Sequence, residues 1–451
     1  MNRFQKIIVS LFFLIGVTSY SQNWTLDACV EYALKHNLKL NNLNYSAESS
    51  KESYRQSFRE LLPSISANSS YYIQYGRSVD PNNNEIISSD FFSNNNSIDA
   101  SITIFEGFQK QHQITASKLI YKASLEETIQ EKYLLAFRVM SAFYEVQFFE
   151  GLLQISENQV DISLSNFNLV EKQIELGLKA GSDKYDAESI LIADRLLVTQ
   201  SKNNLEASKL KLIQEMNLEN VIDIEITTSK TLESQNEQLL KIAADTVYTK
   251  ALTFIPIIKS QELKVKAAEK DVSIAKGDLY PSLSFLAGYG TGYYETNINA
   301  LGNVIPFRTQ IKDNASQYIG LSLSIPISNR FSARSRIKQQ KIALMQETNN
   351  LDIQKQELHK LIQELVQNFE ATKIEFEQTK QSEVARLLTF NIAQKKYEKG
   401  LISALELYQS KNLYTKAQNE NLQIKLQLKV QGKTLDFYMG LPVFNLNISN
   451  Q

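Results

Sequence analysis

Four short segments of the chain alternate strictly between mainly apolar and small polar residues. They cover 64–76, 97–105, 282–294 and 318–327, and within each pair the two segments are separated by a long polar loop. A period of two predicts β-strands that have one apolar and one polar face. Soluble sandwiches show the same alternation. Strands of about 9 to 11 residues with long loops on one side, however, favour a barrel that crosses a bilayer.

Four strands are too few to close a barrel. Eight strands enclose an interior just wide enough for side chains, so two copies of the chain would give a filled barrel. Three copies would give twelve strands and a lumen. An unclosed sheet would leave bare backbone groups in lipid at several kcal/mol each. The pattern therefore predicts a sheet completed by other copies of the chain, with the small polar face lining the lumen.

Two segments of a different period follow the strand pairs, at 107–176 and 331–399. The second contains no glycine or proline and repeats leucine in steady sevens, at Leu344, Leu351, Leu358 and Leu365. At 1.5 Å per residue each segment predicts a helix of roughly 100 Å. Charged residues separate the apolar ones, which places these helices in an aqueous compartment. A coiled-coil rod would show the same heptads.

Each long helix is expected to turn back on itself at a glycine. After Gly177 and Gly400 a second periodic helix begins in each half, at about 182–217 and 403–438. Glycine near the end of a helical run commonly supplies a left-handed terminating residue. The glycines therefore predict the tips of two helical hairpins, roughly 100 Å along the helices from the strands.

The halves of the chain are tandem copies. "LLPSIS" at 61–66 recurs as "LYPSLS" at 279–284, and the strand at 98–105 and the hairpin tip recur in the same order with similar offsets. The predicted organisation is a first repeat at 22–220 with its tip near 177–182, and a second at 239–440 with its tip near 400–403. Each repeat is expected to begin with a single helix, at about 24–60 and at 256–278. A connecting segment at 221–238, which begins with a short alternating strand, and a tail at 441–451 complete the chain.

Composition and charge narrow the class of protein. A formal charge of −1 leaves no basic excess for nucleic acid, and the first 21 residues have the pattern of a secretory signal peptide. An N-terminal membrane anchor is the alternative for that segment. The lone Cys29 excludes an intramolecular disulfide, and the three histidines are scattered on different elements. We therefore predict no enzyme activity, no catalytic residue, no metal and no cofactor.

Taken in this order, the features resemble the TolC family of outer-membrane efflux proteins. The resemblance rests on "WTLDACVEYALKHN" at 24–37, on "LPS" at 62–64 with "YPS" at 280–282, and on both glycine tips. It covers nearly the whole chain after the signal peptide. One departure is Leu38, where the family usually has proline; the second copy has Pro256 at that place.

The resemblance implies a homotrimer with a twelve-stranded barrel in outer-membrane lipid, continuous with a periplasmic helical barrel. It further implies an exit duct for small molecules or proteins that docks on a periplasmic adaptor and an inner-membrane pump of the RND or ABC type. A coiled-coil structural or adhesion protein is the alternative function.

The resemblance also implies roles for residues at the tips. Acidic side chains close the family's tunnel there, and the matching positions are Asp183, Asp186, Glu406 and Gln409, of which the last is neutral. Adaptor contact would involve Gly177, Leu178, Ser182, Gly400, Leu401 and Ser403. Asp183 and Glu406 also stand in the first turn of a helix, where an acid is stabilising without any role in a pore.

Overall fold

The computed structural model describes residues 24–79, 84–88, 90–219, 221, 223–227 and 243–444. The predicted signal peptide and most of the polar part of the connecting segment lie outside these residues. The described chain contains helices α1 to α9, at Leu26–His36, Leu38–Arg59, Gln109–Glu175, Gly181–Met216, Ala244–Phe254, Pro256–Gly277, Phe307–Asp313, Ser332–Glu398 and Ala404–Tyr438. It also contains strands β1 to β6, at Ser64–Gln74, Ser78–Val79, Ile86–Ile87, Phe91–Glu106, Ser282–Tyr294 and Ser316–Ser324.

These elements form two compact units. The first unit contains the described residues of Met1–Asn42, Thr128–Ile255 and Lys355–Gln451, and the second contains Leu43–Glu127 and Pro256–Gln354. The second unit holds the sheet, and the first holds both hairpin tips. Each unit takes segments from both halves of the duplicated sequence.

The sheet of the second unit is antiparallel throughout, in the order β1, β4, β5, β6. The two repeats meet in its middle, where β4 pairs with β5 from Ser93 opposite Tyr294 to Glu106 opposite Ser282. β1 and β6 form the two edges, and the tiny strands β2 and β3 pair in the loop between β1 and β4. The duplication thus places one strand pair from each copy side by side.

The strands are present as predicted, but three have different ends. β1 ends at Gln74, since Gly76 turns the chain with a φ of +82°. β4 begins at Phe91 and not at 97, because its asparagine-rich start pairs with the far end of β1. β6 ends at Ser324, opposite the first residue of β5, so no partner remains for the segment before Pro326.

The helical hairpins agree with the predicted pattern. α3 and α8 each run unbroken for 67 residues, and α4 and α9 return from their tips for 36 and 35 residues. The described helices include none with a stretch long and apolar enough to span a membrane.

The predicted single helix from 24 to 60 is in fact two helices, α1 and α2. The break at Asn37 has a φ of −68° and a ψ of 121°, and the break at Ile255 before Pro256 has nearly the same angles. In the first copy the Asn37 side chain accepts a hydrogen bond from the Leu40 amide at 3.0 Å. A side-chain cap at Asn37 thus accompanies the break that proline marks in the second copy.

The turns that lead from sheet to long helix also reflect the duplication. Gly107 and Phe108 both have positive φ before α3, and Arg330 and Phe331 do before α8. Gly107 has a further constraint, because a Cβ there would lie 2.6 Å from the carbonyl oxygen of Gly277. The second copy tolerates arginine in the same backbone conformation.

The main hydrophobic core of the first unit surrounds α1 and the middle of α3. Cys29, Leu135, Met140 and Leu212 are fully buried in it. The connecting segment reaches this core through Ile224, but the strand predicted at 221–226 is reduced to an isolated parallel bridge between Trp24 and Ile226. Among the described residues, Trp24 alone pairs with the backbone of this segment, so no continuous ladder forms.

Candidate functional site

The two faces of the sheet differ in chemistry, as the alternation predicts. One face carries aliphatic side chains, several of which are largely exposed in the single chain. The exposed fraction is 59 to 79% for each of Ile65, Ile73, Ile319, Leu321 and Leu323. The other face carries serine, asparagine, glycine and tyrosine. Tyr294 donates a hydrogen bond across it to the Asn95 side chain at 2.6 Å. An apolar surface this large on an isolated chain indicates a further contact.

Both tip glycines end their helices by the same backbone arrangement. Gly177 has a φ of +72°, its amide bonds to the Ile174 carbonyl at 2.9 Å, and the Leu178 amide bonds to the Gln173 carbonyl at 2.8 Å. Gly400 repeats this with a φ of +71° and the corresponding pair of bonds. This is the Schellman motif, which satisfies the carbonyls at a helix end.

The acids at the tips serve as helix caps. The Asp183 carboxylate accepts the Ala180 amide at 3.1 Å. Glu406 forms a full capping box, since its carboxylate accepts the Ser403 amide at 2.8 Å and its own amide donates to the Ser403 hydroxyl at 3.3 Å. Helix capping therefore accounts for both residues within the single chain.

The remaining predicted tip residues lie at the surface. Leu178 is 71% exposed and Leu401 is 68% exposed, and neither belongs to the small core of the tips described below. Asp186 and Gln409 are exposed one turn beyond the caps, and Ser182 is exposed within the first turn of α4. Exposed leucines at both tips give an apolar feature that a partner could cover.

The two tips are joined in one small core. Val170, Ala187, Phe390, Tyr397 and Leu407 are buried together, from four different helices. Lys179, beyond the first glycine, donates to the Tyr397 hydroxyl at 2.8 Å and lies 4.1 Å from the centre of that ring. The hairpins of the two repeats therefore pack as one body at this end of the first unit.

A buried ion pair lies a few turns from the tips and was not predicted. Lys411 of α9 contacts the carboxylate of Asp194 of α4, and the Ser163 hydroxyl of α3 donates to the same oxygen. The Lys411 and Asp194 side chains are only 3 and 4% exposed. Burial lowers the pKa of Lys411, and its contact with Asp194 opposes that shift. The available signal was a charged residue on each buried helical stripe, next to Leu407 and Leu191.

The residues considered for enzyme chemistry do not form a site. The three histidines lie on separate helices, and among the described residues no group of acids, histidines and cysteine is arranged to hold a metal. The Cys29 thiol is buried, and burial raises its pKa to about 12, so it is a poor nucleophile.

Comparison with known proteins was made against family models and solved structures. The family model for outer membrane efflux proteins matches residues 29–218 and 247–441, which lie in both halves of the duplication. Comparison with curated protein sequences gives no significant match.

Three solved channels have a similar structure. The CmeC outer membrane channel of Campylobacter jejuni has a TM-score of 0.76 at 16% identity, over 92% of this chain and 85% of that one. VceC, an outer membrane protein of Vibrio cholerae, has a TM-score of 0.75 at 12% identity, over 92 and 96%. The open state of the MtrE channel of Neisseria gonorrhoeae has a TM-score of 0.72 at 15% identity, over 93 and 89%. At these identities the likeness is one of fold.

Proposed function

The chain belongs to the outer membrane efflux protein family, and from that premise we propose that three copies form the exit duct of a tripartite efflux or type I secretion system. The protein is an outer-membrane efflux channel that extends into the periplasm, and the alternative of a coiled-coil adhesion protein is not favoured. Its relatives are channels and not enzymes.

The observation that carries the trimer is the four-stranded sheet with two open edges. In the part of the chain that the structure describes, β1 and β6 each pair on one side only, and the apolar face is exposed. Because the four strands alternate in direction, β6 of one copy can meet β1 of the next in antiparallel pairing all the way around. Two copies would fill the interior with side chains, whereas three leave a lumen lined by the small polar face.

The tips supply the proposed docking surface for a periplasmic adaptor, and through it for an inner-membrane pump. Leu178 and Leu401 are exposed beside the rigid glycine turns, in a body held together by its own core. Gly177 and Gly400 turn the backbone that presents these leucines, Ser403 caps the helix after the second tip, and Ser182 is exposed beside the first tip. A rigid apolar projection of this kind suits a partner that has a matching groove.

The acids at the tips are proposed to line the entrance of the duct. Asp186 and Gln409 are exposed and have no capping role, while Asp183 and Glu406 combine capping with partial or full exposure. In a trimer these positions would repeat three times around the axis. Because Gln409 is neutral, the ring formed by Asp186 and Gln409 would carry less negative charge than a ring made of acids only.

The trimer is tested by extracting the full-length protein from outer membranes in mild detergent and measuring its mass by light scattering. We expect a trimer that opens ion-conducting pores in planar lipid bilayers. A monomer that gives no conductance would overturn the proposal.

Adaptor docking is tested with cysteine variants that carry a photo-crosslinker at the tips. Leu178→Cys and Leu401→Cys should each capture a periplasmic partner when crosslinked in cells that export a fluorescent dye. Leu196→Cys is the matched control, because Leu196 is 57% exposed but lies within α4, away from the turn. Equal capture by the control would refute a specific docking role for the tips.

A further inference from the structure

We infer that Asp99 gives the lumen of the barrel a preference for cations, an inference that rests on the trimeric channel proposed above. The four long strands contain only two charged residues, Asp99 and Glu106. Glu106 is the last residue of β4, so Asp99 is the single charge within the body of the sheet. Glu106 stands opposite Ser282 on the same face, at the end of the strand pair, and every other position on that face of the four long strands is neutral.

The register places Asp99 on the polar face in the interior of the sheet. It stands opposite Ser66 on β1 and opposite Gly288 on β5, and Gly288 in turn stands opposite Tyr318 on β6. These four residues form one row across all four strands. The row belongs to the face of serine, glycine and tyrosine, which lines the lumen in the proposed trimer.

Hydrogen bonds hold the carboxylate of Asp99 in place from both sides. The Tyr318 hydroxyl donates to Oδ1 at 3.1 Å, and the Ser97 hydroxyl donates to Oδ2 at 2.8 Å. Tyr318 reaches across β5 only because Gly288 has no side chain, since a Cβ there would lie 2.4 Å from the tyrosine ring. Together these two contacts fix the orientation of the carboxylate on the polar face.

Three copies of the chain would place three such carboxylates at one level of the lumen. No cationic side chain stands on the four strands to neutralise them. At about 0.1 M salt the Debye length is about 10 Å, so the field of a lumen charge extends into the conducting path, whereas at about 1 M it shrinks to about 3 Å. Rings of acidic side chains select for cations in other channels.

The test records single channels of the Asp99→Cys variant, and a chemical reagent then changes the charge at position 99 in the assembled pore. An anionic methanethiosulfonate reagent restores a negative charge at the new cysteine, and a cationic one inverts it. The native Cys29 is fully buried and does not interfere. We expect the ratio of potassium to chloride permeability to differ by about threefold or more between the two modified forms in dilute KCl, and this difference to shrink in concentrated KCl.

Ile98→Cys is the matched control, because Ile98 is adjacent on β4 but lies on the apolar face. The permeability ratio of Ile98→Cys channels should not change with either reagent. Wild-type protein that forms no channel would refute the proposed function itself. Conducting channels in which Asp99→Cys does not respond, or in which Ile98→Cys responds instead, would overturn only the role of Asp99.

Tyr318 is inferred to be a positioning residue for this carboxylate. Tyr318→Phe removes the hydroxyl donor and keeps the ring over Gly288, so the permeability ratio should fall by less than it does in Asp99→Asn. The fall should vanish when Tyr318→Phe is combined with Asp99→Asn. An equal fall in both backgrounds would show that Tyr318 acts independently of Asp99.

Discussion

Removing one partner of the buried ion pair should loosen the packing between the two hairpins. In Asp194→Ala, the Lys411 ammonium would remain in a site where its side chain is 3% exposed, with the Ser163 hydroxyl at 2.8 Å and no carboxylate to balance its charge. Breaking a buried pair in this way costs about 3 to 5 kcal/mol, because an uncompensated charge stays behind. The whole effect should fall on the first unit, which contains all three residues.

Hydrogen exchange of the detergent-solubilised protein measures this effect locally. Since about 1.4 kcal/mol is a factor of ten, amides of α4 and α9 near the pair should exchange roughly 100-fold to 4,000-fold faster in the variant. Replacing both partners, in Asp194→Leu with Lys411→Met, should restore most of the protection because neither charge is left unpaired. Lys184→Met is the control, since Lys184 and Glu171 are each 43% exposed and such a pair contributes about 1 kcal/mol or less.

The pH dependence has a definite sign. Burial lowers the pKa of Lys411, and Asp194 opposes this shift, so the shift should be larger in Asp194→Ala. The unfolded chain then holds the proton at a pH where the native chain has released it, so the stability of the variant relative to the wild type should rise as the pH approaches about 10.4. Exchange in Asp194→Ala no faster than in Lys184→Met, or a double variant as loose as the single one, would refute this reasoning.

Three further predictions concern single sites. Gly177→Ala should lower the free energy of unfolding by about 1 to 2 kcal/mol, because alanine is strained in the left-handed backbone conformation. Gly107→Ala should lower it further, because its Cβ would also meet the Gly277 carbonyl. Thermal unfolding followed by circular dichroism compares the two variants. Ser403→Ala should cost about 1 kcal/mol and increase hydrogen exchange at the start of α9, with Ser403→Asp retaining the cap. The stability of the wild type should fall between about pH 9 and 12, because Cys29 ionises in the unfolded chain and not in the folded one. The stability of Cys29→Ala should fall less steeply over this range. Equal slopes would contradict the raised pKa of the buried thiol.

The main elements could be predicted from local sequence because their signals are local. Glycine at 177 and 400 ends a long periodic run, and the structure has both residues in left-handed conformation at a helix end. The four alternating segments became the four strands of one sheet, with one apolar face. The split between α1 and α2 was not evident, because Asn37 ends the helix through a side-chain hydrogen bond and not through proline.

The candidate site was only partly predictable for the same reason. The tip residues follow from the glycines, and their capping bonds are local in sequence. The contacts of Lys411 with Asp194 and of Tyr318 with Asp99 join residues more than 200 positions apart. Periodicity assigns a residue to a face of its own element, but it does not identify the residue opposite.

The duplication, the strand faces, the hairpins and the family could be recognised from the amino-acid sequence, since each depends on spacing along the chain. The buried ion pair, and the contact of Tyr318 with Asp99 across a glycine, are seen only in the folded chain. The energy of a charge depends on its partners and its exposure to water, and segments far apart in the sequence supply both.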